Sequence, residues 1–318
     1  MSDGSVSTME MLPNELILNI CRHFTARELY RAFYGLNRRF SSIADNISDL
    51  HLTITNNESH EPVWLAFSRV IKVKIENAKQ IDLYRFSNIR SLTWIRPSAV
   101  QLQKLCSFTY FAYLEQLRVY DIYDMPSAAH FHQFVFSNGF PRVRILSLSH
   151  INISSPWVIS LCLRAINAQN VSDPHLYKRI LISCPNLTRL DFHMLRCIEI
   201  PMPVSFQHVN LKRLHCTGTL SSRSLENILA IVPGLMQFNI NGSIREQPLV
   251  YFERLGNTLN VFLPHLNRFD CNFLFTGQYA DLIKTRSFLE KFHPCFKHRM
   301  KFTKLSYGRI RIHTKSII

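Results

Sequence analysis

Fourteen histidines and eight cysteines are the side chains here best suited to chemistry, and their spacing limits what they can do. His130-x-His132 and His293-x-Cys295-x-x-His298 carry the ligand types zinc prefers, since imidazole and thiolate suit a tetrahedral, borderline-soft ion. Neither run has a second spaced pair to complete four ligands, so no metal and no other cofactor is expected. The cysteines lie at 21, 106, 162, 184, 197, 216, 271 and 295 without a C-x-x-C pair. That scatter suits reduced, buried thiols better than a disulfide framework in a chain of this length. G-x-S-x-G and H-E-x-x-H are absent, and no cysteine stands near a histidine and an acid in a recognisable local frame. With 9 glycines among 318 residues, neither phosphate cradle, G-x-x-x-x-G-K-[ST] nor G-x-G-x-x-G, is present. The sequence therefore assigns no catalytic residue and reads as a non-enzyme whose chemistry is recognition.

The elements that must position any recognition surface show in the hydrophobic spacing. From residue 70 onward, short segments carry apolar residues at their first, fourth and sixth positions: VIKVKI from Val70, IRSLTW from Ile89, LEQLRV from Leu114 and VRILSL from Val143. LTRLDF from Leu187, LKRLHC from Leu211, LMQFNI from Leu235 and LNRFDC from Leu266 follow the same form. Leu50-x-Leu52-x-Ile54 opens the series. Helical stretches precede some segments, such as Leu176 to Cys184 and Leu225 to Val232, each ending at a proline that cannot continue a helix. The interval between Val143 and Leu187 holds two helical candidates, Pro156 to Ala168 and Pro174 to Cys184. It is either a repeat whose strand has decayed or an inserted helix.

Side chains alternate across a strand, so if positions one, four and six face a core, positions three, five and seven face out. The outward set includes Arg189, Asp191, Arg213, His215, Asn239, Arg268 and Asp270, with Arg189, Arg213 and Arg268 in one column. Such a column suits acidic or phosphorylated groups, because a guanidinium pairs bidentately with them. It also suits plain solubility, which asks for polar side chains at exposed strand positions whatever they bind.

Ahead of the repeats lies a helical run. In LPNELILNICRHF, the residues Leu12, Leu16, Ile17, Ile20 and Phe24 draw one stripe down a helix, with Pro13 in its opening turn. Thr25 followed by Glu28 is a capping box. Leu29, Ala32, Phe33 and Leu36 form the buried face of a second helix that stops near Gly35 or Asn37, and Phe40, Ile43 and Ile47 continue a third, short helix. Three short helices bury little surface by themselves, so part of this apolar surface is expected to be lent to another protein.

Leu12-Pro13-x-Glu15-Leu16-Ile17-x-x-Ile20-Cys21-x-x-Phe24, then Glu28-Leu29-x-x-Ala32, then Leu36-Asn37-Arg38-Arg39-Phe40 together resemble the F-box motif across nearly its whole length. Departures fall at Leu36, where the family favours a smaller residue, and at Phe40, where it favours tryptophan. The resemblance implies docking on a Skp-family adaptor, and through it on a cullin-RING scaffold with a ubiquitin-charged E2. Leu12, Pro13, Glu15, Leu16, Ile17, Ile20, Phe24, Leu29 and Phe40 would form the adaptor-binding set. The segments from about 50 to 275 resemble leucine-rich repeats of a degenerate kind. The family's buried Asn or Cys just beyond the strand is replaced by Ile151, Leu195, Thr219, Ser243 or Leu274.

The expected fold class is thus α+α/β, a short three-helix F-box module followed by an irregular leucine-rich-repeat-like α/β solenoid. Its divisions are a disordered 1–11, an F-box over 12–48, a solenoid over 49–280 and a basic C-terminal cap over 281–318. The net charge of +15 concentrates in that last part: Lys284 to Ile318 holds ten Lys or Arg and one Glu. A helix is expected from Asp281 to His293 and a strand at Arg309-Ile310-Arg311-Ile312, closing the last repeat with a polar outer face. Lys and Arg interleaved with Phe292, Phe296, Phe302 and Tyr307 would also engage nucleic acid, which is the less favoured reading. No apolar run is long enough to span a bilayer and the start lacks a secretory pattern, so an intracellular protein, cytoplasmic or nuclear, with no membrane partner is expected. The implied function is substrate recognition for an SCF-type ligase, with an unknown protein as target. The alternatives are a scaffold without ligase output and a basic RNA-associated repeat protein.

Overall fold

The computed structural model describes residues 8–55, 67–77, 81, 83–107, 111–122, 126–151, 157–173, 175–194, 206–275, 293–296, 300–305 and 309–314. The protein is mixed α/β, with eight α-helices and twelve β-strands among those residues. It divides into two compact units, Met1–Asp121 and Ile122–Ile318.

The first unit begins with three helices, α1 (Asn14–Cys21), α2 (Ala26–Phe33) and α3 (Arg38–Asp45). Pro13 caps α1 with φ −57° and ψ 149°; its missing N–H would have no helical partner there in any case. The capping box forms in full: the Glu28 N–H donates to Thr25 Oγ1 at 3.3 Å, and the Thr25 N–H donates to Glu28 Oε2 at 2.8 Å. Those Thr25 donors, backbone first, hold the Glu28 carboxyl below its usual range. Asn37 caps α3, its Oδ1 accepting from the Phe40 N–H at 3.0 Å, while its Nδ2 donates to Glu10 at 2.8 Å. Arg39 ties the entering chain down by donating to Asn14 Oδ1 at 2.9 Å and to the carbonyls of Glu10 and Leu12. Phe33 joins the helices through edge and tilted contacts with Phe24 and Phe40, each with ring centroids 5.7 Å apart.

On α1, Ile17 and Cys21 are fully buried while Leu16 and Ile20 are exposed. One expectation for the helices is corrected. Leu36 and Ala32 do not belong to the buried face of α2, which is Ala26, Leu29 and Phe33. The helix ends at Phe33, and Gly35 turns the chain with φ +82°, leaving Leu36 exposed beyond it.

Strands β1 (Leu50–Thr55), β2 (Val70–Glu76), β3 (Ser91–Ile95) and β4 (Gln116–Tyr120) follow, paired in parallel in that order. The helix α4 (Ala99–Ser107) lies between β3 and β4 in the chain. Arg69 links α3 to the strand region, donating to the Ala44 carbonyl at 3.3 Å and to Asp45 at 3.0 Å.

In the second unit β5 (Ile145–Ser149), β6 (Ala165–Val171), β7 (Arg189–Met194), β8 (Arg213–Thr217), β9 (Gln237–Ile244) and β10 (Arg268–Phe275) pair in parallel, each with the next. Then β12 (Ile310–Thr314) runs antiparallel to β10, and β11 (Met300–Lys304) antiparallel to β12. The helices are α5 (Pro126–Phe136), α6 (Leu176–Ser183), α7 (Ser222–Ala230) and α8 (Pro248–Phe262). Tyr177 on α6 donates to the Ile228 carbonyl of α7 at 3.2 Å in the core.

Neither alternative for the interval between Val143 and Leu187 holds, because it contains a strand. Residues 157–168 hold no helix: Leu163, Ile166 and Ala168, leading into and along β6, repeat the one-four-six pattern, all at 1% exposure or less. The first, fourth and sixth positions of all nine segments are buried except Leu266, which is half-buried. The strand at Ile310–Thr314 stands where alternation placed one, whereas the helix expected from Asp281 lies outside the described residues up to His293.

Below the side chains runs a backbone regularity that the hydrophobic pattern does not reveal. At six junctions the carbonyl of a segment's second residue accepts from the N–H groups of the next segment's second and third residues: Arg90, Arg144, Arg164, Thr188, Lys212 and Met236 do so, at 2.8–3.1 Å. The eighth position is left-handed at Asn77, Arg96, Asp121, His150 and Asn170, with φ of 52–56°, and at Gly218 with φ +134°. Asn, Asp and His tolerate that region better than most residues. At the next repeat a Cβ on Gly242 would sit 1.8 Å from the Gly218 carbonyl oxygen, so the backbones meet there only without side chains.

An asparagine ladder is present among the described residues, at the entry end of the strands. Asn88, Asn186 and Asn210, each just before its segment, donate through Nδ2 to the carbonyls of Ser68, Leu161 and Pro185 at 2.7–2.9 Å.

Candidate interaction surfaces

The expected adaptor-binding residues divide by burial. Ile17, Leu29 and Phe40 are 0–4% exposed and lie in the core of the three helices. Leu12 and Phe24 are half-buried. Pro13, Glu15, Leu16 and Ile20 are exposed, with Leu16 at 49% and Ile20 at 38%. Leu16 and Ile20 stand one turn apart on α1, so they share a face. Met11 and Leu36, 76% and 65% exposed, are further apolar residues of the same unit open to solvent. Leaving large apolar side chains in water forgoes roughly 1 to 2 kcal/mol each relative to burial.

The second candidate is the outward face of the strands in the second unit. Strand pairing sets Arg189 opposite Arg213, Arg213 opposite Gln237, and Gln237 opposite Arg268. The next row is Asn167, Asp191, His215, Asn239 and Asp270. Ala165 and Asn167 are not in the outward set read from the sequence, since no strand is assigned between Val143 and Leu187 there.

Like charges on adjacent strands about 4.8 Å apart repel, so each needs a local counter-charge or solvent. Arg189 meets Asp191 of its own strand at 2.7 Å, and Arg268 meets Asp270 at 2.5 Å. Asp191 is 9% exposed, so that carboxylate is held inward by its arginine. Two guanidiniums of the expected column are therefore already engaged, and Arg213 between them is exposed without an ion pair among the described residues. Asn167 Oδ1 and Asn239 Oδ1 are carboxamide acceptors with no hydrogen-bond partner.

His215 lies in the middle of this face. Burial pulls its imidazole below the ordinary value; Asp191 opposes that, while His193 and Arg189 add to it. Asn241 Nδ2 donates to His215 Nε2 at 3.1 Å, so that nitrogen carries no proton, and Thr217 Oγ1 lies 3.5 Å from it. His193 packs edge-on at 5.5 Å. A hydroxyl beside an imidazole suggests a nucleophile and base, but Asn241 occupies the nitrogen and the Asp191 oxygens bond Arg189. The row can hold a partner by hydrogen bonds and charge.

Thiols offer no alternative among the described residues. Burial pushes Cys106 up to about 12 and raises Cys21, Cys184 and Cys216. His132 is buried within α5, while the Cys295 side chain and His298 lie outside the described residues. No group of three or more His, Cys, Asp or Glu among the described residues could hold a metal ion. Among the same residues no helix is long and apolar enough to cross a membrane. No protein-family model matches the chain, and no curated protein matches its sequence.

Proposed function

We propose that the chain is the substrate-recognition subunit of an SCF-type cullin-RING E3 ubiquitin ligase. Residues 12–48 act as an F-box that docks on a Skp-family adaptor, and the parallel-strand repeats act as a degenerate leucine-rich-repeat solenoid that holds the target. Three helices in the expected order, with the Thr25 capping box and the Asn37 cap formed, support the first part. Nine segments with one burial pattern, broken only by half-buried Leu266, and a backbone ladder at six of their junctions support the second. The observation that carries the reading is the pair Leu16 and Ile20, left in solvent by a helix whose adjoining side is sealed at Ile17 and Cys21.

Such a subunit breaks no bond itself. It raises the local concentration of target lysines near a charged E2 to about the millimolar range, converting an encounter into an intramolecular step. The test is co-expression with a Skp-family adaptor followed by size-exclusion chromatography. Leu16→Asp with Ile20→Asp, changes at exposed positions, is expected to weaken adaptor binding at least about hundredfold, as for residues at an interface centre. Its thermal transition should stay near that of the wild type. Adaptor capture that persists undiminished in this variant would remove the reading.

A further inference from the structure

We propose that the outward strand face of the second unit takes an acidic peptide segment of a protein partner. The proposal rests on the ligase reading only in naming what the repeat face holds. Among the outward positions of the eight strands, the cations are Arg189, Arg213, Arg268, Arg311 and Lys301, and the carboxylates are Asp191 and Asp270 alone. Both carboxylates are consumed by arginines of their own strands. Arg213, Arg311 and Lys301 are exposed and form no ion pair among the described residues. A solvated face with no partner has no need of this imbalance, whereas a carboxylate-bearing peptide would neutralise it through charge-assisted hydrogen bonds.

Two features favour a peptide over a nucleic acid, the other polyanion such a face would attract. No Phe, Tyr or Trp occupies an outward position on these strands among the described residues, so bases would find only the smaller imidazoles of His193, His215 and His313 to stack on. The half-buried outward carboxamides Asn167, Gln237 and Asn239 offer both donors and acceptors. A peptide main chain can meet both kinds of group; a phosphodiester backbone has only acceptors.

The experiment measures fluorescence anisotropy of the full chain with four labelled probes: a Glu-Ser repeat peptide, the Gln-Ser and Lys-Ser peptides of equal length, and a single-stranded RNA of matched charge. The acidic peptide should bind best, and its affinity should fall about tenfold between 50 and 300 mM salt. Arg213→Glu with Arg311→Glu and Lys301→Glu should weaken it at least about tenfold, while Arg179→Glu on α6 leaves it within about twofold. Equal binding of the neutral peptide, tighter binding of the RNA, or indifference to the triple reversal would each overturn the proposal. Adaptor capture is scored on the same samples. If it persists while acidic-peptide binding fails, this proposal falls and the ligase reading stands; the reverse pattern removes the ligase reading alone.

Discussion

The three N-terminal helices and the strand face of the second unit both present regular rows of side chains to water, but with opposite chemistry. On α1 the exposed row is apolar, and nothing in the stability of the helices requires it: Ile17 and Cys21 already seal the inner side. On the strands the exposed row is polar, and stability does require polarity of some kind there, because the alternate residues fill the core. An apolar residue left out is thus informative by type alone. A polar row becomes informative only through its bonding, which here singles out Arg213 between two arginines that have found their own carboxylates. Residues that a fold must have say little about function; departures from that requirement say more.

The sharpest way to break the comparison is within one turn of α1. Ile17→Ala removes a fully buried side chain and should cost about 2 to 4 kcal/mol, seen as a lowered midpoint in urea. Leu16→Ala, its half-exposed neighbour, should cost less than about 1 kcal/mol yet carry most of the loss of adaptor affinity. If the two changes destabilise equally, Leu16 is core and the apolar surface is not spare.

The strands were legible because a two-sided element buries alternate residues, and Leu187, Leu190 and Phe192 or Leu211, Leu214 and Cys216 print that rule on the sequence. Legibility failed on β6 for a physical reason. Its sixth position is Ala168 and its neighbours are Ala165, Asn167 and Asn170, so small and polar residues hide a strand that only its pairing partners stabilise. The α1 stripe was visible but its inner side was not, since spacing shows that residues share a face without saying what covers it. Among the candidate site residues, Arg189, Arg213 and Arg268 were placed correctly in one column. Their bonding to Asp191 and Asp270, two residues along the same strands, could have been anticipated from the repeated Arg-x-Asp but was not. The asparagine ladder was sought at the strand exits and lies at the entries, marked by Asn-Ile at 88 and Asn-Leu at 186 and 210.

That ladder supplies a second, smaller contrast, between ordering by packing and ordering by hydrogen bonds. Asn186→Ala leaves the Leu161 carbonyl without its side-chain donor, and Asn210→Ala does the same to Pro185. Because both sites are exposed, each change should cost about 0.5 to 1.5 kcal/mol. Chemical denaturation of the single and double variants should show the costs adding, since no bond is shared between the rungs. A cost beyond that range would mean the ladder closes the repeats more tightly than its exposure implies.

The finest contrast is in how the two regions answer acid. His215, whose ordinary value is 6.5, is held lower by burial, so the unfolded chain binds its proton more readily than the folded one. Its contribution to stability is therefore present above 6.5 and is lost as the pH falls below that value. Glu28, held below its ordinary 4.5 by the Thr25 donors, also loses its contribution as pH falls, but only once the pH drops below about that value. Denaturation midpoints taken between pH 7.5 and 5.5 should fall for the wild type and fall less for His215→Gln, which cannot take the proton. His293, also lowered by burial, keeps part of the slope in that variant. Thr25→Ala should leave this window untouched and alter only the response below about 4.5. Identical slopes for the wild type and His215→Gln between pH 7.5 and 5.5 would show that burial does not hold the His215 imidazole neutral.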